Sequence, residues 1–177
     1  MGEIKIAVIG LWHQGVVGAA CLADMGYDVV AADSNVERIT QLRQGRAQVF
    51  EPGLDALLAK GIASGRLTFT TFHAEAVRDA PYVFVMFDTP VDENDQSDLT
   101  EIFQTFEAIA PAIMPRATIL VTAQVPVGTC DALAELLHKT APNSSATIAY
   151  IPENLRLGQA IERFMAPPLP VIGCDDE

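Results

Sequence analysis

The stretch Gly10-Leu-Trp-His-Gln-Gly15 follows the apolar run IKIAVI (4–9) and precedes VVGAACLADMG, a run of small and apolar residues of helix length. A strand, a tight turn and a helix near the N-terminus is the setting of the G-x-G-x-x-G loop. Its first glycine makes the turn, its second lets the backbone approach a pyrophosphate, and its third lets helix and strand pack closely. Gly10 and Gly15 occupy the first and third positions, and Trp12 replaces the second. His13 and Gln14 complete the loop. An indole at position 12 could shield the site, stack on a bound nucleotide or point away, and the loop alone leaves these alternatives open.

Asp33 follows the second apolar run, DVVAA (28–32). A carboxylate at that strand end accepts hydrogen bonds from the ribose hydroxyls of NAD and repels the 2′-phosphate of NADP. The alternative is that Asp33 caps the helix starting near Asn35. Arg38 lies in the first turn of that helix, where it reaches toward the cofactor or is a solvated charge. Further polar groups stand in DTP (88–90), TAQVPVGT (122–129) and IPENLRLG (151–158), which supply Thr89, Gln124 and Glu153. Glu153 follows a proline and opens a predicted helix over 153–164. There it either favours the helix dipole or serves as a base or substrate contact beside the cleft.

These residues matter together only if the elements bring them to one edge. Strands are predicted over 4–9, 28–32, 66–71, 82–87, 117–122, 146–151 and 169–173. Helices are predicted over 35–45, 53–65, 98–113, 128–140 and 153–164, besides the one after the glycine loop. Short strands alternating with helices specify an α/β fold, a Rossmann-like, doubly wound, mainly parallel sheet with helices on both faces. Such sheets bind ligands beyond the carboxyl ends of their strands, where every candidate above falls. PVDENDQSD (90–98) reads as a loop, and Pro167, Pro168 and Pro170 mark a possible domain exit.

Composition sets further bounds. The 177 residues suit one domain over 1–177, and 50% of them are hydrophobic, which excludes a disordered chain. No apolar run reaches the ~18 residues of a membrane span, and the N-terminus lacks the pattern of a signal peptide. A cytoplasmic protein with no membrane partner is the expectation. The balance of 11 basic against 23 acidic residues, a net charge of −12, argues against nucleic acid. It leaves a dinucleotide open, because backbone N–H groups at a helix start hold phosphate whatever the net charge. Cys21, Cys130 and Cys174 are too scattered for a disulfide framework or a zinc site, and His13, His73 and His138 have no metal-ligand spacing. No metal is expected. Cys21, among alanines and a leucine, reads as a small core residue. His138 reads as a surface residue in the last turn of its helix.

Taken in order, KIAVIGLWHQG, VVAADSNVERITQLRQG, VFEPGLDALLAKG, GRLTFTT, FDTPVDENDQSDL, VPVGT and PENLRLGQAIERF resemble the N-terminal NAD-binding domain of the UDP-glucose/GDP-mannose dehydrogenase family. The resemblance implies oxidation of a nucleotide sugar's C6 alcohol to the uronate, using NAD twice per sugar. It implies cofactor contacts from Gly10, Trp12, His13, Gln14, Gly15, Asp33, Arg38, Thr89 and Gln124, with Gln124 near the nicotinamide and Glu153 at the catalytic edge. This sequence departs from the family pattern at Trp12, His13 and Gln14, at Thr122-Ala-Gln124 where the family has Lys-Ser-Thr, and at Leu157 where it has a second glutamate. The family's thiol nucleophile, needed to form a thiohemiacetal, and its sugar-nucleotide pocket belong to a second domain that this sequence does not match. The expectation is therefore a fragment, inactive alone, of a protein whose substrate partner binds through that second domain and which pairs as a homodimer. Cys174, in the terminal GCDDE, lacks the family's thiol motif. A non-catalytic, nucleotide-sensing Rossmann module is the alternative, supported by Trp12. Another NAD-dependent hydroxyacid or polyol dehydrogenase is a weaker third reading, against which EPGLDALL and the DTPVDENDQSDL stretch count.

Overall fold

The computed structural model describes residues 4–94 and 96–174. Six strands run parallel: β1 (Lys5–Ile9), β2 (Asp28–Ala32), β3 (Leu67–Thr70), β4 (Tyr82–Val85), β5 (Thr118–Val121) and β6 (Thr147–Tyr150). The short β7 (Gly173–Cys174) adds antiparallel to β6. The sheet order is β3-β2-β1-β4-β5-β6-β7. The chain builds outward from β1 to β3, then returns to lay β4 on the other side of β1. That reversal opens a crevice at the carboxyl ends of β1 and β4, where doubly wound sheets bind ligands.

Both faces of the sheet are covered, as parallel strands require. Along β1, Ile6 and Val8 pack into one core, while Ala7 and Ile9 pack into the other. This is the two-residue period of a strand shared between two layers. The first layer holds α1 (His13–Asp24), α3 (Leu54–Ala63) and α7 (Ala160–Met165), with Ile39 and Leu42 of α2 (Val36–Arg43) at its edge. The second holds α4 (His73–Val77), α5 (Thr100–Ile109) and α6 (Thr129–Thr140). Cys21 is fully buried in the first layer, as its alanine-rich context predicts, and burial pushes its thiol up to about 12.

Four expectations need correction. The helix predicted over 153–164 is only α7, and residues 151–157 carry no helix. Gly158 adopts a left-handed φ of 82° just before it, a conformation that suits glycine and breaks helical continuation. The strand predicted over 169–173 shrinks to β7, because Pro168 and Pro170 have no N–H to give a ladder. The helix predicted over 98–113 ends at Ile109, and a single 3-10 turn containing Pro111 finishes it. A short helix, α4, was not predicted at all; five residues are too few to show a period. Apart from Asp95, which lies outside the described residues, the stretch 90–98 is a loop as predicted, closed by an isolated bridge between Val91 and Ser97. The terminal acidic residues 175–177 lie outside the described residues.

Candidate cofactor cleft

Gly10 leaves β1 with φ of 89°, and a Cβ there would lie 2.9 Å from the Phe87 ring. Its N–H donates to Ala32 O at 3.0 Å, which pins the turn to the end of β2. Gly15 is tighter still: an added Cβ would fall 1.7 Å from Gly10 O. Both positions therefore exclude any side chain. Trp12 does not need this freedom. Its φ of −79° is ordinary, and it is the N-cap residue of α1, with no side chain capping the helix. The first N–H groups of α1 have no partner inside the helix, as at any helix start. They are ready donors to an anion.

The indole of Trp12 lies over the Arg38 guanidinium, 5.1 Å from ring centroid to Cζ. It forms one wall of a cleft of about 390 Å³ whose other walls include Gly10, Asp33, Phe87, Thr89 and Glu101. The cleft stays open, so of the three alternatives for Trp12 the ring neither fills the site nor turns fully away.

Asp33 is buried and is not the cap of α2. Asn35 caps that helix, its side chain accepting from Arg38 N at 2.9 Å. The Asp33 carboxylate instead accepts from Leu11 N at 2.8 Å, Asn35 N at 2.9 Å and Arg38 Nη1 at 2.5 Å. It thus ties the glycine loop to the start of α2. Arg38 is no free surface charge: besides Asp33 and Trp12, its Nε donates to Gln48 at 3.0 Å.

The other two loop residues also find distant partners. His13 Nε2 donates to Glu51 at 3.2 Å. The Gln14 side chain turns inward, buried, where the Thr122 hydroxyl donates to its amide oxygen.

Across the neighbouring strand ends, the Thr89 hydroxyl donates to Gln124 O, and Gln124 Nε2 lies 3.5 Å from Glu153 Oε2, the outer limit of a hydrogen bond. Glu153 does not open a helix. Its other oxygen accepts from Leu155 N within the irregular segment, which corrects the helix-dipole expectation. The ends of β4, β5 and β6 are thereby linked in one chain of contacts.

Sequence reasoning missed Glu51, Asp88 and Glu101. Partial burial at the cleft wall raises Asp88; Glu153 adds to this, while His13 and Arg38 oppose it. Burial likewise raises Glu101, with Asp33 adding to the effect. Asp88 was legible as part of DTP at a strand end. Glu51 carries no local signal beyond its place in the EPGLDALL stretch. Among the described residues no group of histidine, cysteine and carboxylate side chains could hold a metal, and no helix is long and apolar enough to cross a membrane.

Fold and cleft together define a dinucleotide-binding Rossmann domain: a switch-point crevice, two obligatory glycines at a helix start, and a buried carboxylate at the end of β2. Residues 4–177 match the model of the UDP-glucose/GDP-mannose dehydrogenase family, NAD binding domain, and the chain belongs to that family. It is 38% identical over 173 residues to the UDP-glucose 6-dehydrogenase of Rhizobium meliloti, covering 97% of this chain and 40% of that protein. A ternary complex of GDP-mannose dehydrogenase from Pseudomonas aeruginosa superposes with a TM-score of 0.92 at 33% identity, over 98% of this chain and 41% of that one. A UDP-glucose dehydrogenase from Pyrobaculum islandicum gives 0.91 at 32% identity, over 99% and 41%. The chain spans about 40% of the curated relative's length. NAD is the cofactor of this domain family.

Proposed function

We propose that this chain is the NAD-holding part of a nucleotide-sugar 6-dehydrogenase, which oxidises the C6 alcohol of a UDP- or GDP-sugar to the uronate in two hydride transfers. The observation that carries this reading is the cleft at the β1–β4 switch point, where Gly10 and Gly15 allow the tight turn that brings the first N–H groups of α1 to the cleft and Asp33 lines its wall. Bound NAD supplies the hydride acceptor; the protein supplies position and charge. Asp33 accepts from a ribose hydroxyl with the lone-pair capacity its three donors leave free. Trp12 and Arg38 form the wall beside it. The amides of His13, Gln14 and Gly15 face the pyrophosphate. Thr89 and Gln124 border the nicotinamide, and Glu153 lies at the edge where substrate would enter as a proton acceptor or a polar contact.

The relatives are much longer than this chain. We infer that the sugar nucleotide is held by parts of such a longer protein, and that this chain alone binds cofactor without turning substrate over. A non-catalytic nucleotide sensor differs in one respect: it would bind yet support no oxidation in any longer form.

A calorimetric titration of the chain with NAD tests the reading. Saturable binding is expected, with NADP about tenfold weaker or worse, a difference of ~1.4 kcal/mol. Asp33→Asn, which keeps a polar group but drops the charge, should narrow that preference. Absence of heat and of any Trp12 fluorescence change up to millimolar NAD would overturn the proposal that this chain holds the cofactor.

A further inference from the structure

Glu51 sits at the start of the EPGL turn, outside the cleft wall, and is 4% exposed. Among the described residues its hydrogen-bond and charge partners include no arginine or lysine. Its Oε2 accepts from His13 Nε2 at 3.2 Å and from Gly158 N at 2.8 Å; its Oε1 accepts from Ala160 N at 2.9 Å. His13 belongs to the glycine loop at the end of β1. Gly158 and Ala160 end the irregular segment that carries Glu153. One buried carboxylate therefore bridges the two sides of the site, more than a hundred residues apart in sequence.

The chemistry suits a clamp. A carboxylate with these donors is an acceptor only, so His13 must carry its proton on Nε2. Burial works against the ionised form, but the Gly158 and Ala160 N–H groups and then His13 outweigh it and hold the carboxyl below its ordinary value. The N-cap residue of α7, Gln159, makes no side-chain cap of its own. Glu51 does that work from a distance, satisfying the Ala160 N–H in the first turn.

We propose that Glu51 is a positioning residue that joins the loop at Trp12–Gln14 to the Glu153-bearing segment, so that the two sides of the cleft hold their spacing as one unit. His13 is its contact on the cofactor side. The joining itself is independent of any ligand; its use in setting cofactor against catalytic edge rests on the NAD-binding reading.

Amide hydrogen exchange decides it, read on peptides spanning residues 156–162 of the folded chain, with α6 peptides as the remote control. Among the described residues His13 has no hydrogen bond to that segment except through Glu51. His13→Ala should nevertheless speed exchange of the Gly158 and Ala160 amides by about fivefold or more, with α6 unchanged. Glu51→Gln keeps the shape and loses one acceptor, and should do at least as much. The double variant should exceed the larger single effect by less than twofold, because both changes cut one link. Exchange at Gly158 and Ala160 as in the unaltered chain after His13→Ala, or effects that multiply in the double variant, would overturn the clamp. Added NAD separates the two readings. If Trp12 fluorescence reports binding, NAD should slow exchange at residues 158–160 in the unaltered chain and not in Glu51→Gln. Equal slowing in both would also sink the clamp. If Trp12 reports no binding, the cofactor reading fails, and the ligand-free comparison still passes or fails the clamp.

Discussion

Gly15 is the most constrained residue of the site. Its hypothetical Cβ meets a backbone oxygen, not the end of a flexible side chain, so neither a rotamer change nor a small repacking relieves the overlap. Gly15→Ala should destabilise the chain by about 3 kcal/mol or more, the range of severe steric strain. Urea denaturation measures this, and a loss below about 1 kcal/mol would mean that the loop and α1 can part without cost. Gly10 and Gly15 were legible in the sequence because their need is local: a turn followed at once by a helix. The partners of the residues between them were not. Trp12 finds Arg38, His13 finds Glu51 and Gln14 finds Thr122. Each pair crosses from the start of α1 to a different part of the chain, and only folding shows that three departures from the family pattern are each matched by a contact. Asp33 was legible as a carboxylate at a strand end. Its engagement by three donors at once was not, since one of them comes from the loop before α1.

At the scale of elements, strands and long helices were read from runs and periods, while ends set by distant contacts were misread. The segment after β6 has helix-forming residues, yet Gly158 and the pull of Glu51 on its amides delay the helix to Ala160. The unread element α4 has a consequence for acid stability. His73 opens it, and Nε2 of that ring is buried with no hydrogen-bond partner among the described residues. Burial lowers His73 below its ordinary value of 6.5, with Asp33 opposing. The folded form thus resists taking up a proton that the unfolded chain accepts. The His73 penalty is absent above pH 6.5 and grows as pH falls below it. His73→Leu removes both the orphan nitrogen and the proton. It should be at least as stable as the unaltered chain at pH 7.5, since deleting an unsatisfied polar atom relieves its desolvation. Between pH 7.5 and 5.5 its urea midpoint should fall less. An equal fall in both chains would show that His73 titrates freely in the fold.

The whole molecule carries a net charge of −12, and the cleft itself is lined by Asp33, Asp88 and Glu101 against Arg38. NAD is an anion as well. Its approach is opposed by the long-range field, while the contacts proposed for its phosphates come from backbone amides at the start of α1. These two influences respond differently to salt. The field is screened over about 8 Å at physiological ionic strength, whereas amide contacts inside the cleft release no ordered counterions. Nucleic-acid binding behaves in the opposite way, because lysine and arginine displace cations from phosphates and salt weakens the complex steeply. For this chain, raising salt from low to physiological strength should leave NAD affinity unchanged or improve it by up to about twofold, through a faster association rate. Trp12 is the single tryptophan, so fluorescence titrations at two ionic strengths read this directly. A tenfold loss of affinity over the same range would mean that a basic side chain, with Arg38 the first suspect, carries the phosphate contact instead of the helix start. The Arg38 pairing with Asp33 would then have to open on binding, and Arg38→Gln would remove most of the salt dependence.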